Sequence, residues 1–92
     1  MAIRKFKHRG LRKLFENGRC SEIGLRHHDN ALYIMDYLNR IKSLTDCANV
    51  KNFHPLKGKR AGQYTMHVSG NYVITFEWDG QDVTILDFED YH

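Results

Sequence analysis

Near Gly62 the hydrophobic spacing of the chain changes from that of helices to strict alternation, and this switch restricts the fold more than any other feature of the sequence. Before it, Leu11, Leu14 and Phe15 have the i, i+3, i+4 spacing of a short amphipathic helix over Leu11 to Asn17, which Asn17-Gly18 should stop. A longer stripe of Ala31, Ile34, Met35, Leu38, Ile41 and Leu44 predicts a helix capped by Asp29 or Asn30 and running to about Thr45. After the switch, Tyr64, Met66 and Val68 alternate with Thr65 and His67, while Tyr72, Ile74, Phe76 and Trp78 alternate with Val73, Thr75 and Glu77. A third run returns from Val83 to Phe88, and Ser69-Gly70-Asn71 and Asp79-Gly80 supply the turns. These residues predict an antiparallel three-stranded meander.

Helices first and a meander last, without βαβ alternation, argue for the α+β class: two or three N-terminal helices packed on one face of a small antiparallel sheet. The other face is then available for function. Ile3 to His8 alternates weakly and reads as a short strand ended by Gly10, Asp46 to Phe53 as a further helical turn, and Pro55 to Gly62 as a basic loop. A chain of 92 residues holds one core, so residues 1–92 are expected to form a single domain. An apolar content of 41% with no low-complexity tract argues against disorder. No run approaches the ~20 apolar residues of a membrane span, and the basic start lacks an apolar signal segment, so a cytoplasmic protein with no membrane partner is expected. Cys20 and Cys47 are too few for a metal knuckle or a disulfide framework and read as reduced thiols.

Charge is divided along the chain. All 14 Lys and Arg lie in the first 60 positions against five acids there, giving +9, while the last 32 residues hold six acids and no Lys or Arg, giving −6. The first part can approach a polyanion and the second cannot do so by charge.

Three groups of residues could carry chemistry. His54, Lys57, Lys59 and Arg60 lie within seven positions, and such a loop can hold phosphate oxygens while an imidazole moves protons. A solvated basic loop, the commoner use of such residues, accounts for them as well. The end of the chain, Glu89-Asp90-Tyr91-His92, offers a proton carrier, a partner to orient it and a ring on which a base can stack, although frayed termini often look the same. Arg4, Lys5, Lys7, Arg9, Arg12 and Lys13 could follow an RNA backbone or simply keep the surface soluble. Adjacent His27 and His28 point in different directions, and with no HExxH, CxxC or acidic cluster no metal or other cofactor is expected. No Gly-x-Ser-x-Gly elbow supports a serine hydrolase.

Several segments together resemble HigB toxins, in order and over nearly the whole chain: Phe6-Lys7-His8-Arg9-Gly10-Leu11, Leu14-Phe15-Glu16-Asn17-Gly18, Phe53-His54-Pro55-Leu56-Lys57-Gly58, Arg60-Ala61-Gly62, Asn71-Tyr72, Ile74-Thr75-Phe76 and Glu89-Asp90-Tyr91-His92. The resemblance implies the RelE-like microbial ribonuclease fold and a type II toxin, a metal-independent endoribonuclease that enters the A site of the small ribosomal subunit, beside its 16S rRNA, and cuts mRNA. Its implied partner is a HigA-like helix-turn-helix antitoxin. By position, His54, Lys57, Asp90, Tyr91 and His92 match the family's active-site motif, so loop and tail would meet on the open face of the sheet. Arg60, Lys59, Lys7, Arg9, Arg12 and Lys13 are the candidate RNA contacts.

One position departs from the pattern. Between Asn-aromatic and Ile-Thr-Phe the resemblance leads to an expected Arg at the scissile phosphate, and here Val73 stands on the face shared by Thr75 and Glu77. A preorganised cation at developing charge is worth about 3 kcal/mol or more. An engineered detoxified variant, a natural weakly active toxin, and a contact taken over by Arg60 or Lys57 all fit, the first slightly better because an active toxin is hard to produce. Val73 also keeps open a non-cleaving module that binds the ribosome or antitoxin. A general single-strand RNA binder is disfavoured because the strand aromatics fall on the expected core face.

Overall fold

The computed structural model describes residues 2–90. Helix α1, Arg9–Asn17, forms where the first apolar stripe predicts it: the His8 imidazole accepts the Leu11 amide at 3.2 Å, and Gly18 ends the helix at φ 81°, a left-handed conformation that glycine adopts without strain. Leu11 and Leu14 are fully enclosed.

Helix α2, His28–Leu38, begins near the expected cap but stops well short of Thr45. The apolar stripe continues, with Ile41 buried and Leu44 half-buried, while the backbone leaves the helix. In a continued helix the Asn39 carbonyl would accept the Ser43 amide. Instead it accepts the Ala2 amide at 3.0 Å, the Asn39 side chain accepts the Ile3 amide at 3.2 Å, and the Asp46 carboxylate takes the Lys42 and Ser43 amides at 2.9 and 3.1 Å. Local side-chain bonds and the incoming N-terminal segment thus replace helical ones. A 3₁₀ turn, Leu44–Cys47, follows and overlaps the start of the helical turn expected between Asp46 and Phe53; beyond it Asn49, Lys51 and Asn52 all have positive φ, so no helix continues to Phe53.

Strands β1 (His54–Pro55), β2 (Gln63–His67), β3 (Tyr72–Trp78) and β4 (Val83–Asp90) form one antiparallel sheet in that order. The meander is as expected; the basic loop adds the two-residue β1 and a 3₁₀ turn, Gly58–Arg60. Between β3 and β4 the Asp79 carboxylate accepts the Gln81 and Asp82 amides at 2.9 and 2.6 Å, an arrangement that closes the turn. The segment expected as a strand from Ile3 makes isolated parallel bridges instead, Ile3 with Val83 and Phe6 with Leu86.

The helices cover one face of the sheet, where Leu11, Leu14, Ile34, Met35 and Leu38 join Met66, Ile74, Phe76, Val83 and Leu86 in one core. Val83 and Leu86 are three residues apart, so strict alternation would place them on opposite faces. A bulge resolves this. The β3–β4 register slips between Thr75 and Glu77, and the extra residue, Ile85, takes φ 56°. Left-handed backbone costs a non-glycine residue on the order of 1–2 kcal/mol. In return Leu86 and Phe88 turn toward the core, while Asp87 and Glu89 fall on the open face. Among the described residues no helix is long and apolar enough to cross a membrane.

Candidate active site on the open face of the sheet

Directly paired residues of antiparallel strands point to the same side. Two rows therefore cross the open face. One runs His54, Thr65, Thr75, Asp87; the next runs His67, Val73, Glu89. Thr65 and Thr75 are buried between neighbouring side chains, and the Thr65 hydroxyl donates to the His54 carbonyl at 3.3 Å.

Arg60 crosses onto these rows from its 3₁₀ turn. Its Nη1 and Nη2 donate to the two Glu89 oxygens at 2.9 and 2.7 Å, and its Nε donates to the Gln63 side chain at 2.8 Å. Thr75 donates its hydroxyl to the same Glu89 at 2.6 Å. Arg60 and then Thr75 hold the Glu89 carboxyl below the usual carboxylate range against the opposing effect of partial burial, and Glu89 in turn raises the Arg60 pKa. Lys7 Nζ lies 3.8 Å from Asp87 on the same face.

The two oppositely charged parts of the chain therefore meet. Arg4–Asp79, Lys7–Asp87 and Arg60–Glu89 each join a cation of the first 60 residues to an acid of the last 32. Of the expected RNA contacts, Lys7 and Arg60 are thus engaged within the chain, and Lys13 bonds Glu22 at 2.7 Å. Arg9 and Arg12 are exposed on α1, and His54, Lys57 and Lys59 are exposed beside Arg60. Asp90 ends β4 opposite Tyr72, so its register places it on the helix side, away from the row of Glu89. Tyr91 and His92 lie outside the described residues. His54 and Arg60 are brought to one face; the meeting of loop and tail reaches, in the described residues, as far as Glu89.

Residues 4–92 match the family described as HigB-like toxin, RelE-like toxin of type II toxin–antitoxin system HigB. The chain is also 38% identical to an endoribonuclease HigB of Proteus vulgaris over 94 residues, 98% of this chain and 99% of that protein. The chain belongs to the HigB-like toxins. A YoeB/ParE toxin of Agrobacterium tumefaciens has the same fold, with a TM-score of 0.59 over 97% of this chain and 99% of the other at 17% identity.

Within this HigB-like toxin, position 73 is enclosed as well as uncharged. Val73 is 0% exposed, on the face predicted from alternation but outside the continuous helix-side core. Its register neighbours are His67 and Glu89. Thr75 is a site residue that the sequence did not single out, and Glu89 stood there only as part of the polar tail, without its role as the partner of Arg60. Arg60 and Glu89 are 29 positions apart, and the only local signal was the break in alternation from Val83 and Ile85 to Leu86 and Phe88.

Proposed function

We propose that this chain is a ribosome-dependent endoribonuclease, the toxin of a type II toxin–antitoxin pair, which cuts mRNA in the ribosomal A site and inhibits translation in the cytoplasm. The observation that carries the reading is a proton-moving imidazole, His54, on the same face as a fixed guanidinium, Arg60, in a chain 38% identical to an endoribonuclease. The ribose 2′-OH attacks the adjacent phosphorus while a base takes its proton, an acid protonates the departing 5′-oxygen, and cations hold the phosphoryl oxygens. Of the two expected bases, Asp90 falls on the helix side by its register, so His92 serves as base and His54 as acid, with Lys57 and Arg60 as phosphate clamp and Tyr91 as a stacking or orienting group. Side chains fill every role, so the reaction requires no metal. Lys59, Lys7, Arg9, Arg12 and Lys13 guide the RNA backbone, and a HigA-like helix-turn-helix protein is the antitoxin.

Val73 supports a second reading, a module of this fold that binds ribosome or antitoxin without useful cleavage, because the enclosed position offers no cation. Mapping mRNA ends in a translating extract separates the two. Cuts from both this chain and Val73→Arg make Val73 incidental; cuts only from Val73→Arg make this chain a disabled enzyme; no cuts from either sink the ribonuclease assignment. Removing Tyr91 and His92 in the Val73→Arg background should abolish cleavage and leave antitoxin binding intact.

A further inference from the structure

We propose that Glu89, fixed by Thr75, is a positioning residue that presents the Arg60 guanidinium to the RNA phosphate. This deepens the clamp role given to Arg60 above and rests on it. A guanidinium has five N–H donors; Nε, Nη1 and Nη2 each use one on Gln63 or Glu89, which leaves two. The forked contact fixes the plane of the group as well as its place, so those two donors have a set direction. Thr75 makes the anchor rigid from the central strand, and the bulge at Ile85 puts Glu89 on this face. Val73 shares a row with Glu89, so the carboxylate that holds Arg60 stands opposite position 73.

Charge alone argues the other way. A carboxylate beside bound RNA repels it and cancels part of the Arg60 charge, so an unstructured electrostatic role predicts that removing Glu89 tightens binding. Positioning predicts the reverse sign.

The test is the affinity for a short mRNA-like oligonucleotide carrying 2′-O-methyl groups, which cannot be cut, followed by fluorescence anisotropy at low salt. Glu89→Gln should weaken binding about tenfold, the scale of one hydrogen bond to a charged group. Arg60→Lys, which keeps the charge and loses the fork, should do the same, and the double variant should lose no more than either alone. Circular dichroism establishes that each variant is folded, and Thr75→Val, a smaller change to the same anchor, should weaken binding in the same direction. Unchanged or tighter binding by folded Glu89→Gln overturns the proposal, as do multiplying losses in the double variant or no binding by the parent chain. If binding behaves as expected but neither this chain nor Val73→Arg cuts mRNA, the positioning role stands as RNA binding and only the ribonuclease reading fails.

Discussion

The two faces of this sheet are held by different physics, although strand β3 is equally enclosed on both. Val73, Ile74, Thr75 and Phe76 are four consecutive residues with exposures of 0, 0, 4 and 1%. Ile74 and Phe76 join the helices in a continuous apolar core. Val73 and Thr75 belong instead to rows of hydroxyls, imidazoles and carboxylates, one of which carries Arg60. The helix side gains from removing apolar surface from water; the open side orders polar groups whose net worth in stability is small but whose geometry is specific. Alternation along β3 is therefore an alternation of chemistry, not of exposure.

The largest expected effect comes from the residue that keeps the faces apart. Ile85→Pro cannot take the positive φ of the bulge and leaves a choice: Leu86 and Phe88 turn outward, or Val83 does and the turn is reset. The substitution should abolish cooperative unfolding, and a retained sigmoidal urea transition would mean that the faces are set elsewhere. Phe76→Ala should cost roughly 3–5 kcal/mol in urea denaturation, the usual cost of deleting a buried phenyl ring. Val73→Arg, also at an enclosed site but on the polar side, should cost less, about 1–3 kcal/mol of overpacking. A larger loss than for Phe76→Ala would show that the open side tolerates bulk no better than the core.

The smallest effect is the ion pair. With Arg60 and Glu89 side chains 46 and 26% exposed, Glu89→Gln should cost no more than ~1 kcal/mol. The folded-state pKa of Glu89 is depressed from 4.5, so its contribution is present above that pH and is lost as the pH falls through the lower folded value. The stability gap between parent and Glu89→Gln should therefore close on acidification below about pH 4.5. His27 adds a separate slope: burial, then the neighbouring Arg26 and His28 charges, lower its pKa from 6.5, so protonation of the unfolded chain should erode stability as pH falls below that value.

Local signals carried much of the fold into the sequence. The Leu11, Leu14, Phe15 stripe and Gly18 bounded α1, and alternation with Asp79-Gly80 set out the meander. The C-terminal end of α2 was hidden because Ile41 and Leu44 keep the helical phase of burial while Asn39 gives its carbonyl to Ala2, a partner 37 positions away. In the site, His54, Lys57 and Arg60 were legible as one loop. The partner of Arg60 was not, since it depends on a bulge in another strand and on a register that only the folded sheet fixes.

The bridges at Ile3 and Phe6 have a further consequence. Arg4 and Lys7 donate their amides to Val83 and Leu86 at 2.8 and 2.7 Å, so the outer rim of β4 is already saturated along that stretch. At the opposite rim β1 is two residues long, and one of them, Pro55, has no amide hydrogen to give. Neither border offers a long template for an added strand, which guards against edge-to-edge aggregation. Along the stretch from Val83 to Leu86 and at β1, strand addition has little backbone left to work with, which leaves side chains and turns as the grip there.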